Sequence, residues 1–224
     1  MKVAASWSGG KDSCFACYKA IQEGYDVTQL LIMMANKSES NFHMINAELL
    51  DAQSQSIGIP IVKQITTPGA YEQDFKKALL QMKAKGVKGI VTGDVYDVAL
   101  HEACWLARVC KAVGLEPVRP LWHRGTGQII NEFINAGFKA TVVRTKNEVL
   151  GVEWLGRQVN KQFLAELPAN VDPCGENGEF HTVVTDGPLF KNSIEICETE
   201  KTTLNGYGRL EIKSFKIKPK KKAV

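Results

Sequence analysis

The sequence of 224 residues lacks any long apolar run. Its longest apolar stretch, residues 30–35, has the length of a strand and is far shorter than the roughly 20 residues that a membrane-spanning helix needs. The N-terminal segment also lacks the apolar core of a signal peptide. We therefore expect a cytoplasmic protein with no membrane span.

Metal-type cysteine spacing is also missing. Of the six cysteines, Cys14 and Cys17 form the one CxxC pair, and no second Cys or His pair follows at zinc spacing. Cysteines of a cytoplasmic chain need not be paired. We expect structural thiols rather than a redox or metal site.

The chain lacks an excess of positive charge outside its C-terminal end. The chain has 28 basic and 24 acidic residues, a net charge of +4, but residues 213–224 contain six lysines and no acid. The remainder therefore has 22 basic and 24 acidic residues, a net charge of −2. This excludes the basic body typical of nucleic-acid-binding proteins. It leaves a basic tail, residues 218–224, which we expect to be disordered.

Short apolar segments alternate with amphipathic ones over the first 115 residues. The pattern predicts strands over 3–6, 27–34, 59–65 and 88–92, and helices over 13–23, 47–57, 71–85 and 99–113. Such alternation with continuously apolar strands indicates a parallel sheet covered by helices on both faces.

The character of the sequence changes after about residue 120. We expect helices over 126–136 and 152–167, a strand over 138–144, a Gly- and Asp-rich loop over 172–178, and strands over 180–185, 193–199 and 209–217. These strands could form hairpins or extend the first sheet. The predicted fold class is α/β: a Rossmann-like parallel-sheet domain over 1–120, followed by a smaller α+β domain over 121–217.

The loop between the first strand and the first helix has the composition of a phosphate site. It consists of Ser8, Gly9, Gly10, Lys11, Asp12 and Ser13. A helix N-terminus offers N–H groups and positive potential to phosphate, and glycine allows the backbone to come close. A carboxylate repels phosphate unless a cation bridges the two, so Asp12 implies Mg²⁺. The loop fits neither the P-loop pattern nor the G-x-G-x-x-G pattern.

This loop resembles the SGGxDS motif of the PP-loop ATP pyrophosphatases. The resemblance implies that residues 8–13 hold the β,γ-pyrophosphate of ATP, which is cleaved between its α- and β-phosphates to leave an adenylated substrate. Gly93 and Asp94 end a buried strand at the ligand-binding edge and should approach ATP or metal, although Asp94 could instead cap a helix. His43 follows the second strand, where members of the superfamily bind adenine. It could equally be a surface-loop histidine.

A second informative segment spans residues 174–182. Its two carboxylates, Glu176 and Glu179, lie among glycines and precede His181 and Thr182. From the residue types alone, this segment is either a solvated hairpin loop or a polar loop that presents its carboxylates as metal ligands, bases or ammonium binders.

Together with the phosphate loop, this segment resembles the diphthine–ammonia ligase (diphthamide synthase) family. Further stretches in the same order, around 42–60, 92–95, 120–122 and 137–140, are similar to that family, so the resemblance covers residues 2–190. It implies that ATP and ammonium convert diphthine on translation elongation factor 2 to its amide through an acyl-adenylate. It assigns Asp12, Glu176 and Glu179 to catalysis, with Glu176, Glu179, His181 and Thr182 at the substrate. A homodimer is compatible with the sequence.

Two other functions stay open at this point. One is a tRNA-modifying PP-loop ligase or thiolase, with Cys14 or Cys17 carrying sulfur. The other is a non-catalytic module that binds ATP or AMP.

Overall fold

The computed structural model describes residues 1–41, 44–96 and 105–220. Within these ranges the chain divides into two units by its internal contacts. The first comprises Met1–Ser8, Asp12–Ser54 and Ile59–Arg124, and the second comprises Gly9–Lys11, Gln55–Gly58 and the chain from Gly125 onward.

The first unit is built on a parallel five-stranded sheet. Its strands are β1 (Lys2–Ser6), β2 (Asp26–Met34), β3 (Ile61–Ile65), β4 (Gly89–Val91) and β5 (Glu116–Val118), in the spatial order β3-β2-β1-β4-β5. The helices are α1 (Lys11–Gln22), α2 (Ala47–Ile57), α3 (Tyr71–Ala84) and α4 (Trp105–Val113). The strand order reverses between β1 and β4, which is where open α/β sheets bind ligands.

Helices α3 and α4 cover this sheet with apolar faces of helical spacing. Helix α3 buries Phe75, Ala78, Leu79 and Met82, while α4 buries Leu106, Val109, Cys110 and Val113. These side chains form one cluster with Ala4, Leu31, Met33 and Ile90 of the strands. Burial of this apolar face stabilises both helices against the sheet.

The second unit contains a separate antiparallel sheet. Its strands are β6 (Lys139–Lys146), β7 (Phe180–Asp186), β8 (Asn192–Leu204) and β9 (Tyr207–Pro219), in the order β7-β6-β9-β8. Helices α5 (Thr126–Asn135) and α6 (Lys161–Glu166) and a 3₁₀ turn (Val152–Trp154) complete the described part. The structure therefore confirms the predicted fold class and decides that the late strands do not extend the first sheet.

The predicted helix over 152–167 is wrong. Residues 152–154 form a 3₁₀ turn that ends in extended backbone at Leu155, and Gly156 has a φ of 82°, which interrupts a helix. Helix α6 starts only after Asn160, whose side chain accepts a hydrogen bond from the backbone N–H of Phe163. The apolar side chains whose spacing suggested a helix are buried by an irregular backbone path instead.

Other strand and helix boundaries also differ from the predicted ones. The short strand β5 was not predicted, and the last two strands are longer than expected. Of the predicted helix over 99–113, only residues 105–113 lie in the described part of the chain.

Three of the six lysines in residues 213–224 lie in strand β9 of the β8–β9 hairpin: Lys213, Lys216 and Lys218. Strand β9 continues through Pro219, beyond the residue at which the sequence suggested a disordered tail. Lys218 pairs with Glu195 at 2.5 Å, and Lys220 pairs with Asp186 at 2.5 Å. Residues 221–224 lie outside the described residues.

Among the described helices, none combines the length and the apolar composition that crossing a membrane would require.

Candidate active site

The phosphate loop, residues 8–13, leads from β1 into α1. Gly9 has a φ of 81°, a conformation that residues with a Cβ rarely adopt, so the sharp turn needs glycine here. The Ser8 backbone N–H donates to the Ser13 hydroxyl at 3.2 Å, and the two hydroxyls are 3.0 Å apart. These bonds close the loop over the first turn of α1. The N-terminus of this helix is therefore presented as an anion site.

Gly93 lies against the backbone of this loop. A Cβ at Gly93 would come within 2.6 Å of the Asp12 carbonyl carbon and 2.8 Å of the Ser13 nitrogen. The close approach explains the glycine at the end of β4. It brings the predicted residues Gly93 and Asp12 together.

The neighbouring residue Asp94 is half-buried. Burial, with a smaller contribution from the Asp94 charge, raises the pKa of Tyr71 to about 12. The Asp94 carboxylate is thus within electrostatic range of the Tyr71 hydroxyl. His43, which the sequence suggested as an adenine contact, lies outside the described residues.

The middle of the phosphate loop is hydrogen-bonded to β7, an edge strand of the antiparallel sheet. The Val184 N–H donates to the Gly9 carbonyl at 2.9 Å, and the Lys11 N–H donates to Thr182 Oγ1 at 3.1 Å. The Lys11 ammonium lies 5.2 Å from the centre of the Phe180 ring. Thr182 is 1% exposed, and its hydroxyl supports the loop through the hydrogen bond from Lys11. Its assignment to the substrate stays a prediction.

Glu179 organises the loop that precedes β7. Its Oε1 accepts hydrogen bonds from the Asp172 N–H at 2.9 Å and the Asn177 side-chain amide at 3.0 Å, and its Oε2 accepts from the Asn177 N–H at 2.9 Å. Glu179 is buried, whereas Glu176 is exposed. Burial alone would raise the pKa of Glu179, but these hydrogen bonds hold the pKa below its usual value. The carboxylate is therefore ionised, and it is a weak base near neutral pH.

Asp172 also organises this loop, a role that the sequence patterns did not predict. Its Oδ1 accepts from the N–H groups of Cys174 and Glu176, at 2.8 and 3.3 Å, and its Oδ2 accepts from the Thr126 hydroxyl at 2.7 Å. The bond to the N–H two residues ahead is an Asx turn. The sequence Asp-Pro-Cys-Gly is a recognisable signal for such a turn.

His181 lies in a positively charged environment. Burial, and then the charges of Lys11 and Arg144, lower the pKa of His181 to about 4. The imidazole is therefore neutral at physiological pH.

The two cysteines of the CxxC pair are buried in α1. Burial raises the pKa of Cys17 to about 12 and raises the pKa of Cys14 well above its usual value. Both groups are thiols at neutral pH, which disfavours nucleophilic or sulfur-carrying roles.

Comparison with known protein families accounts for both units. Residues 1–117 match the diphthamide synthase N-terminal domain, and residues 125–217 match the diphthamide synthase C-terminal domain. The chain belongs to the diphthamide synthase family. The resemblance that the two sequence segments suggested is therefore confirmed.

Relatives that carry the name diphthine–ammonia ligase occur in animals and fungi. The diphthine–ammonia ligase of Mus musculus is 27% identical over 229 residues, an alignment that covers 89% of this chain and 84% of the mouse protein. The Homo sapiens enzyme of the same name is 26% identical with the same coverage. The Schizosaccharomyces pombe enzyme is 23% identical, and the match covers 37% of that longer protein.

The chain is also similar to a solved structure described as a predicted subunit of tRNA methyltransferase from Methanocaldococcus jannaschii. The two are 18% identical, the match covers 64% of this chain and 80% of that chain, and the TM-score is 0.45.

The phosphate loop contains one oxygen donor of the type that Mg²⁺ prefers, the Asp12 carboxylate. Among the described residues, no group of three or more His, Cys, Asp or Glu side chains is placed to hold a metal ion. Mg²⁺ is commonly bound by one or two carboxylates, with substrate phosphates and water completing its shell. Asp12, at the start of α1, supplies one such carboxylate.

Proposed function

We propose that this protein is a diphthine–ammonia ligase, which uses ATP and ammonium to convert the carboxylate of diphthine on translation elongation factor 2 into an amide. The observation that carries the proposal is the closed Ser8–Ser13 loop at a helix N-terminus in a chain whose two halves match the two diphthamide synthase domains in order. We place the reaction in the cytoplasm, where the elongation factor works.

The first step is transfer of AMP to the carboxylate, because a carboxylate is a poor electrophile and its oxide is a poor leaving group. One carboxylate oxygen attacks the α-phosphorus of ATP, the bond to the α,β-bridging oxygen breaks, and pyrophosphate leaves. We assign the N-terminus of α1, the serine hydroxyls and the Lys11 ammonium to the departing pyrophosphate. Asp12 would hold Mg²⁺, which neutralises phosphate charge when bound.

The second step is attack by ammonia on the acyl carbon. Ammonium first gives up a proton and becomes ammonia, and after the attack AMP leaves with the former carboxylate oxygen while the nitrogen loses a second proton to solvent. We assign Glu176 to holding ammonium and accepting the first proton, since its side chain is exposed while Glu179 is committed to the loop. Enclosure of the acyl-adenylate would protect it from hydrolysis.

Reconstitution tests this function. Purified protein, diphthine-bearing elongation factor 2, ATP, Mg²⁺ and ¹⁵N-ammonium should give ¹⁵N in the factor and one AMP per amide. Asp12→Ala should abolish AMP formation while leaving the protein folded. Binding of ATP without AMP formation in the wild type would instead indicate a non-catalytic nucleotide-binding module.

A sulfur-transfer function on tRNA receives less support. It would need a thiolate at Cys14 or Cys17, and both are buried thiols with raised pKa values. Replacement of both cysteines by alanine should leave amidation intact apart from packing effects. A specific loss of activity in a stably folded variant would revive the sulfur-transfer hypothesis.

A further inference from the structure

A group of three aromatic rings lies next to the parallel sheet, outside the phosphate loop. The indole of Trp122 and the imidazole of His123 are stacked with ring centres 4.7 Å apart, and the Tyr96 ring lies 6.4 Å from the His123 ring. Tyr96 is 48% exposed, and His123 is exposed as well. We call these three side chains the ring stack. Rings that gather in one exposed patch are a common feature of binding sites.

The ring stack is built from the loops that follow two neighbouring strands. Tyr96 follows β4 and Trp122 follows β5, and these two strands are paired in parallel. Both loops therefore lie at the carboxyl edge of the sheet, where open α/β sheets bind ligands. The loop after β4 also contacts the phosphate loop, since Gly93 lies against the Asp12 backbone. The ring stack thus lies on the β4–β5 side of the phosphate loop.

His123 is held in a strained backbone conformation. Its φ is 56°, in the left-handed region that residues with a Cβ rarely adopt. The turn is anchored on both sides, because the His123 N–H donates to the Val95 carbonyl at 2.8 Å and Leu121 is fully buried. Glycine would occupy this position without strain. A strained residue with an exposed ring points to ligand binding as the reason for an imidazole here.

Arg119 adds a guanidinium to the ring stack. Its Cζ lies 3.9 Å from the centre of the Trp122 ring. In the part of the chain that the structure describes, no carboxylate forms an ion pair with Arg119. A stacked guanidinium keeps its N–H donors at its edge, where the two oxygens of a carboxylate can accept them. The aromatic faces beside it are the groups that bind quaternary ammonium ligands.

We propose that Arg119 and the ring stack bind the end of the diphthine side chain, with Arg119 on the carboxylate and the exposed rings against the trimethylammonium group beside it. The inference rests on the proposed function and deepens it by assigning residues that recognise the acceptor. In diphthine these two groups share one carbon, so neighbouring side chains can bind both. The carboxylate lies between the two positive groups. A cation without a carboxylate meets repulsion from Arg119, so the site selects the zwitterion.

Glycine betaine tests the site without any turnover, because it carries a trimethylammonium group and a carboxylate on one carbon. It is titrated into the full-length protein near neutral pH while the ring resonances of His123 and Tyr96 are followed by NMR. We expect a saturable shift of both signals, with acetate and tetramethylammonium each binding at least about tenfold more weakly. Absence of a saturable betaine shift would overturn the proposal. Equally tight binding of either single ion would contradict recognition of the zwitterion.

Substitutions test the two parts of the site separately. Arg119→Gln should weaken betaine binding about tenfold or more, and Tyr96→Leu about threefold to thirtyfold. His123→Gly removes a ring but relieves the positive φ, so we expect weaker betaine binding with no loss of stability in urea. Unchanged betaine binding together with lower stability in His123→Gly would show a structural role and overturn the assignment of this residue.

Arg157→Gln is the matched control for the loss of a stacked guanidinium. Arg157 lies in the second unit, stacks 4.2 Å from the centre of the Trp154 ring and pairs with Glu166. This variant should bind betaine like the wild type. Equal losses in Arg157→Gln and Arg119→Gln would contradict a site at the ring stack.

Kinetics then assign the site to the acceptor. In the reconstituted reaction, Arg119→Gln should raise the KM for diphthine-bearing factor about tenfold to a hundredfold, with the Kd for ATP changed less than about twofold. A parallel rise in the Kd for ATP would show that the ring stack binds nucleotide, and an unchanged KM would show that it does not bind the acceptor; either result overturns the assignment. If the wild type incorporates no ammonia, the proposed function fails, whereas the betaine titration still reports on the zwitterion site.

Discussion

At the scale of single residues, Glu176 and Glu179 carry the same carboxylate group in one short loop but have different surroundings. The carboxylate of Glu179 accepts hydrogen bonds from Asp172 and Asn177 and is buried, while Glu176 is exposed. The position of Glu179 suits a residue that fixes the conformation of the loop. The position of Glu176 suits a residue that contacts a substrate.

Substitution by glutamine separates these roles. Glu179→Gln places an NH₂ group against a backbone N–H, so we expect a loss of about 1–3 kcal/mol in unfolding free energy together with loss of amidation. Glu176→Gln should leave stability within about 0.5 kcal/mol of the wild type and still reduce amidation strongly. Chemical denaturation and the ammonia-incorporation assay measure both effects. Full amidation by Glu176→Gln would contradict its assignment.

Thr182 is expected to act on ATP binding through the phosphate loop. Thr182→Val keeps the side-chain shape but leaves the buried Lys11 N–H without its acceptor hydroxyl. We expect the Kd for ATP to rise about tenfold, whereas Thr182→Ser, which retains the hydroxyl, should bind ATP nearly as the wild type does. Isothermal titration with ATP distinguishes these outcomes. Equal affinities in all three proteins would show that this hydrogen bond does not position the loop.

His181 should make stability depend on pH. Its pKa is about 4 in the folded protein and near 6.5 when unfolded, so the unfolded state takes up a proton first as the pH falls. The contribution of the neutral imidazole is complete above about pH 6.5 and is lost as the pH falls toward 4. The linkage predicts a loss of about 2 kcal/mol between pH 7 and pH 5.

The control for this pH dependence is His181→Gln, which cannot titrate. Its unfolding free energy, measured in urea between pH 7 and pH 5, should fall less steeply than that of the wild type. Identical slopes in the two proteins would contradict the lowered pKa.

At the scale of elements, the end of β4 and the start of α1 depend on a close backbone contact. Gly93→Ala forces a methyl group to within 2.6 Å of the Asp12 backbone, which must shift. We expect at least tenfold weaker ATP binding and a loss of about 1–3 kcal/mol in stability.

Gly127→Ala is the matched control for this steric effect. A Cβ at Gly127 meets nothing within 4 Å, and the position lies in helix α5. This variant should bind ATP normally and gain up to about 1 kcal/mol in stability, because alanine favours helices. Normal ATP binding by Gly93→Ala would show that the loop tolerates the displacement.

Sequence patterns predicted elements best where local chemistry determines them. The parallel sheet and the loop before α1 follow from apolar runs and glycine placement in consecutive segments. The prediction of a helix over 152–167 was wrong. Leu155, Val159 and Phe163 are buried and have helical spacing, but Gly156 adopts a left-handed conformation that this spacing does not reveal.

Long-range contacts set the limit on predicting the candidate site. The family resemblance assigns Thr182 to the substrate, but no sequence pattern predicts that its hydroxyl accepts from the N–H of Lys11, which is 171 residues away in the chain. Likewise, the pairing of Arg144 with His181 and with Arg209 appears only once β6, β7 and β9 are placed in register. No local pattern at Arg144 or Arg209 distinguishes these arginines from others.

At the scale of the whole molecule, the charge asymmetry noted in the sequence has a structural explanation. The hairpin of β8 and β9 contains four acidic and five basic residues, so its strand lysines face a nearly balanced set of acids. Lys213 pairs with Glu200 at 2.9 Å and Lys218 pairs with Glu195. Exposed pairs of this kind contribute little stability, but they neutralise much of the apparent tail charge.

The central claim is that this protein activates a carboxylate by adenylation. Adenylation moves one carboxylate oxygen onto phosphorus, and amidation then releases that oxygen in AMP. The direct measurement uses diphthine-bearing factor labelled with ¹⁸O in the diphthine carboxylate, with ATP, Mg²⁺, ammonium and the purified protein. We expect one ¹⁸O atom in each AMP released, with unlabelled pyrophosphate. Label in inorganic phosphate, or AMP without label, would contradict it.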